Sequence, residues 1–228
     1  MAAALILAGL AAGLAGPPAT AKAELVDRIL VVAAGKAITW SAALADASCQ
    51  AFLTGQPPIH LAMNDSGAEE KLRPAIERLT DQLIIEEVRR RSQLALDSPE
   101  AVAERVEGIW KQLQSPYSSP DDLRRALQNY SLDEATLRSR LAREQRILTF
   151  VDFSLRPQIR IESEQIAAYY QDEFLPQFTL DQPGAEAPAL DEVREKIEEI
   201  LVQREMNQQM GPWLESLRKE QGIRQLPR

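Results

Sequence analysis

The sequence predicts a mainly α fold with one small β-sheet, and three observations lead there. Apolar residues recur at spacings of three and four through most of the stretch from residue 69 to residue 217, the period of one face of an α-helix. Helix-start signals crowd the middle of the chain: Ser98-Pro99, Ser119-Pro120 and Ser131-Leu132-Asp133-Glu134 leave little room for strands between them. Strand-like runs bounded by turn residues are instead confined to residues 25–41 and 222–226, apart from a short link near Ile159. A composition 45% hydrophobic and 26% charged over 228 residues suits a soluble globular protein of one or two domains, long enough to bury a core.

Residues 1–23 read as a secretory signal. The apolar run from Ala2 to Gly16 is followed by Pro17-Pro18 and by Ala21-Lys22-Ala23 as a small-residue cleavage site before Glu24. The run is shorter than the roughly 20 residues that span a bilayer, so the expectation is export with cleavage, to the periplasm or beyond, without stable membrane insertion afterwards. The segment lacks a Lys or Arg near Met1, which departs from the usual pattern.

Leu25 to Ser41 reads as a hairpin. Ile29, Val31 and Val32 form the first strand, Ala34-Gly35-Lys36 the turn, and Ala37-Ile38-Thr39 the return, with Ser41 as the cap of the next helix. Two strands this short need a further partner, and the stretch Gly222 to Leu226 is the plausible one. Ser41 to Phe52 then reads as a short helix, and Gly55 to Gly67 as a long loop. From Glu69 to Arg91 the residues Leu72, Ile76, Leu79, Leu83, Ile84 and Val88 draw one apolar stripe, the mark of a central packing helix.

Three capped helices follow. Val102, Val106, Ile109 and Trp110 belong to the first, Leu123 and Leu127 to the second, and Leu137, Leu141, Leu148 and Val151 to the third, which Arg156-Pro157 ends. Ser163 caps a short helix carrying Ile166, Tyr169, Tyr170 and Phe174. Residues 175–190, with Pro176, Pro183, Gly184 and Pro188, have the composition of a linker. Asp191 caps the last helix, in which Gly211-Pro212 predicts a kink or a restart.

Several chemistries are disfavoured. A net charge of -8 does not suit nucleic acid, whose phosphates call for a basic patch. The adjacent carboxylates Glu86-Glu87, Asp121-Asp122 and Glu198-Glu199 diverge by about 100° on a helix, the single histidine His60 has no triad context, and no phosphate-binding loop is present. Cys49 is the one cysteine, expected as a buried small hydrophobe; a Cys49/His60 pair lacks the further ligands of a zinc site. The expectation is a protein without catalytic residues, cofactor or metal.

The hairpin from Val26 through Thr39 followed by helices, then Leu83-Ile84-Ile85, Ser163 to Phe174 and Trp213 to Arg218, resembles in that order the SurA-like periplasmic chaperones, relatives of the PrsA and PpiD foldases. The resemblance implies a SurA N-terminal-like module: residues 24–174 form its helical body, and residues 191–228 return as helix and strand to complete it. Trp213 and Leu217 would pack on the helix at Glu69 to Arg91 and bring Ile223 beside Ile29 or Val31. In that family a parvulin prolyl isomerase domain of about a hundred residues commonly follows the segment resembling Glu164 to Phe174. Here residues 175–190 stand in its place, so the resemblance implies a module without it.

The implied function is ATP-independent binding of unfolded or partly folded outer-membrane or secreted polypeptides. Aromatic and methionine side chains supply adaptable apolar surface for that work. The candidates are Tyr169, Tyr170, Phe174 and Phe178, with Trp110, Met206 and Met210 behind them. Trp110, at helical spacing among apolar residues, has a competing reading as core. Two other functions stay open: an assembly factor for one folded partner, acting as a monomer or a dimer with swapped terminal helices, and a residual prolyl isomerase.

Overall fold

The computed structural model describes residues 27–221 and 224–225; the expected signal at residues 1–23 and the expected position of Ile223 lie outside them. Strands β1 (Ile29–Ala33) and β2 (Lys36–Thr39) form the antiparallel hairpin. Its turn places Ala34 at φ 48° and Gly35 at φ 74°, the two successive left-handed residues whose twist matches paired strands. A third strand, β3 (Arg224–Gln225), lies antiparallel along the other edge of β1, with Val31 opposite Gln225 and Val32 opposite Arg224. The two distant parts of the sequence thus meet in one sheet, as expected.

Helix α1 (Trp40–Leu53) is capped by Thr39, whose side chain accepts from the Ala42 N–H, not by Ser41. Ser41 is otherwise engaged: its backbone N–H and its hydroxyl both donate to the carboxylate of Asp27, which also accepts from the Arg28 N–H. Helix α2 spans Ala68–Ser92. Helices α3 (Pro99–Gln114) and α4 (Pro120–Asn129) start as their proline signatures predict, with Ser98 accepting from Ala101 N–H at 3.1 Å and Ser119 from Asp122 N–H at 3.2 Å. Helix α5 (Glu134–Leu155) starts later than a cap at Ser131 would place it. Ser131 is left-handed, at φ 56°, whereas a cap residue is extended, and Asp133 accepts from the Thr136 N–H instead.

Three apolar clusters are joined by helices that belong to two of them at once. The hairpin, the start of α1 and the first half of α2 enclose Leu30, Val31, Ile38, Trp40, Leu72 and Leu83. The end of α1 with α3, α4 and the first half of α5 encloses Cys49, Trp110, Leu123, Leu127, Leu137 and Leu141. The far half of α5 turns a different face inward, burying Ile147, Phe150 and Val151 against Ile84 and Ile85 of α2. Leu148, expected on the packed stripe, is therefore 51% exposed. The stripe breaks because the helix changes partners midway.

After a 3-10 turn (Arg156–Gln158) the chain forms α6 (Ser163–Tyr169), one π-helical turn (Tyr170–Phe174), α7 (Leu175–Asp181) and α8 (Leu190–Gln221). The helix start at α6 belongs to Glu162, which forms a reciprocal box with Gln165; Ser163 is already helical. The expected linker at residues 175–190 is corrected: its first seven residues are α7. Pro176 has no N–H to give and its ring crowds the preceding turn. The helix widens just ahead of it, Leu175 N–H reaching Tyr170 O, and so continues.

Pro212 does not restart α8 either. The carbonyl deprived of a donor is that of Gln208, an exposed residue, where a lost bond costs less than it would in the core. On either side Met206 and Leu217 are buried against α2 and α5, with Met210, Trp213 and Leu214 packed beside them, so the helix is docked before and after the proline. Arg218 fastens it further, donating from Nε and Nη2 to the two carboxylate oxygens of Asp81 on α2, both at 2.8 Å.

Candidate polypeptide-binding surface

Four of the seven expected residues come together on one arm. α6, the first part of a continuous α6–π–α7 segment, lies against α8, and Ile166 and Ile197, one on each helix, are buried. Along this arm Tyr170, Phe174 and Phe178 recur every fourth residue, one above the other on a helix. Their rings form a ladder: Tyr170 to Phe174 is 5.5 Å between centroids at 16°, and Phe174 to Phe178 is 6.0 Å at 28°. All three are half-buried, so each ring keeps part of its surface in water. Leu180, two residues beyond Phe178 and so on the other side of α7, is 75% exposed.

Polar contacts fix the Tyr170 end of the ladder. The Tyr170 hydroxyl donates to Pro188 O at 2.8 Å, tying the arm to the loop that precedes α8. Tyr169, pointing elsewhere as two adjacent residues must, is covered by the Arg204 guanidinium at 5.2 Å from its ring. The same guanidinium donates to both carboxylate oxygens of Glu173 at 2.7 and 2.8 Å, and this hydrogen bonding holds the Glu173 carboxyl below its usual range. Arg156 makes a second two-pronged pair with Glu199 of α8, at 2.9 Å for each bond.

The other candidates are corrected or demoted. Trp110 is 2% exposed and fills the second cluster, with Arg138 stacked over its ring at 4.2 Å; the indole is core. Met206 is 4% exposed and packs in the third cluster. Met210 is half-buried beside it. None of the three stands on the arm's ladder. Phe153 on α5 and Leu180 on α7 are exposed apolar side chains that sequence reading did not single out, and Leu148, read as core, joins them because α5 changes partners.

Residues relevant to other chemistries are occupied structurally. Cys49 is 2% exposed and its burial pushes the thiol up from its usual range, away from the reactive thiolate. His60 is exposed in its loop. Glu86, Glu87, Asp121, Asp122 and Glu199 each face an arginine. Among the described residues no group of three or more His, Cys, Asp or Glu is placed to hold a metal ion, and no helix is long and apolar enough to cross a membrane. Comparison of the chain with family models, with curated proteins and with solved structures returned no match.

Proposed function

We propose that this chain is an exported, ATP-independent chaperone module of the SurA-like kind that holds non-native polypeptides and has no prolyl isomerase activity. The observation that carries the reading is the Tyr170–Phe174–Phe178 ladder, a row of apolar rings half open to water on an arm supported by α8. Such a row binds extended chains by burying one aromatic or aliphatic side chain per ring, which needs neither a shaped cavity nor bound nucleotide. Each ring buried more deeply against a client adds stabilisation at about 25 cal/mol per Å² of apolar surface, so several weak contacts combine without selecting one sequence.

The test is suppression of aggregation of an unfolded outer-membrane protein by the purified chain, compared with Tyr170→Ala, Phe174→Ala and Phe178→Ala. The expected result is suppression that weakens in every variant while far-UV circular dichroism and Tm stay near the parent values. Absence of suppression at stoichiometric excess would favour an assembly factor for one folded partner. A proline-peptide isomerisation rate that one point mutation abolishes would overturn the non-catalytic reading.

A further inference from the structure

A groove of about 490 Å³ lies between α1, α2 and α5, away from the aromatic arm. Its apolar surface comes from Ala42, Ala45, Leu79 and Ala135, all but Leu79 being small side chains that leave the space unfilled. At its base Asp46 is sealed between Arg78 and Arg140 and presents no free charge. Above that base stands Arg143, which approaches Glu86 through Nε at 3.1 Å and is 46% exposed. Its two Nη groups, the Gln82 amide and the Ser139 hydroxyl make no hydrogen bond among the described residues, although all three side chains line the groove.

We propose that this groove binds the carboxyl-terminal end of a polypeptide with an apolar last residue. The planar fork of a guanidinium matches a carboxylate in two parallel bonds, and Arg143 keeps that edge open. The small apolar walls accept the final side chain. The free Gln82 and Ser139 groups lie where a peptide's own amides need partners; a fatty acid brings no amide to satisfy them. A concave site of a few hundred Å³, mainly apolar with a few convergent polar groups, is the usual form of a ligand pocket. The site is independent of the aromatic ladder, so either reading can fail without the other.

Fluorescence anisotropy with the full chain tests it, using an N-terminally labelled Gly-Gly-Ala-Leu-Val peptide as the free acid and as the C-terminal amide. Hydrogen bonds to a charged group correspond to about 10- to 100-fold in affinity, so the acid is expected to bind at least about tenfold more tightly than the amide. Arg143→Gln removes that preference, Arg143→Lys keeps part of it, and Phe153→Ala, an exposed change on α5 outside both sites, leaves it unchanged. Equal binding of acid and amide, no binding of either at millimolar peptide, or a preference that survives Arg143→Gln overturns the assignment. Loss of the preference in Phe174→Ala would place the site on the arm instead, and displacement by octanoate at equal molar potency would replace the peptide with a free fatty acid.

Discussion

Removing the Asp46 carboxylate should destabilise the fold more than any surface charge change, because the loss falls on a buried guanidinium. Asp46 is 2% exposed at its side chain; Oδ2 accepts from Arg78 Nε and Nη2 at 3.1 and 2.7 Å, and Oδ1 accepts from Arg140 Nη1. Arg140, 12% exposed at its side chain, would keep only long contacts among the described residues, to Asp46 O at 3.3 Å and Gln50 Oε1 at 3.4 Å, and its Nε already has no partner among them. Arg78, 36% exposed, regains water and adds little. Stranding one buried charge costs about 3–5 kcal/mol, and the hydrated Arg78 puts Asp46→Ala toward the lower end, about 3–4 kcal/mol. For a domain of this size that corresponds to a Tm lower by roughly 6–16 °C. Urea unfolding followed by circular dichroism measures it, with an unchanged m-value as the check that the folded state is the same. The companion variant Asp46→Leu/Arg140→Met, with no buried charge left, should lie within about 1 kcal/mol of the parent. A cost below about 1 kcal/mol for Asp46→Ala, or a double variant as damaged as the two single changes summed, would refute the reasoning.

Two further outcomes are expected. Gly108→Ala should raise stability by about 0.5–1 kcal/mol, since the position is helical and a Cβ there meets open space; thermal unfolding reads the gain, and a loss would mean that α3 needs the glycine at that turn. Acid should weaken the fold through Asp27 and Glu87. Ser41 and neighbouring backbone N–H groups hold the Asp27 carboxyl at about 2, and Arg90 and Arg91 hold Glu87 at about 2. Both values lie below those of the unfolded chain, so the contribution is complete above about pH 5 and drains as pH falls from about 4.5 to 2. Asp27→Asn and Glu87→Gln should each shallow that acid limb in a pH series of urea midpoints, and an unaltered limb would remove these groups from the account.

The elements that local chemistry dictates were legible before any coordinates. Ser98-Pro99 and Ser119-Pro120 start helices because a hydroxyl acceptor and a donor-less residue suit a helix start wherever it lies, and Ala34-Gly35 makes its turn from its own backbone. What stayed hidden depends on neighbours far along the chain. Pro176 reads as linker and Pro212 as a kink or a restart because sequence shows the lost donor but not the widened turn or the packing on either side. Leu148 reads as core because its spacing from Leu141 is right and the change of partner is invisible. The aromatic period 170, 174, 178 was readable only once residues after Phe174 were known to be helical, while the Asp46–Arg78–Arg140 triad leaves no local mark at all.

The pairing of β1 with β3 also sets the order in which the molecule can assemble. Val31 and Val32 meet Gln225 and Arg224 across nearly the whole length of the sequence, a closure whose entropy no local contact offsets. The hairpin, α1 and α2 can collapse on their own apolar cluster early, but the outer edge of β1 stays open until α8 has docked beside Ile84 and Asp81 and carried residues 224–225 home. A chain emerging from its amino end therefore passes through an interval with an unpaired strand edge. Its completion is timed by the last-made helix, so slow docking of α8 would lengthen the period in which another strand can take that place.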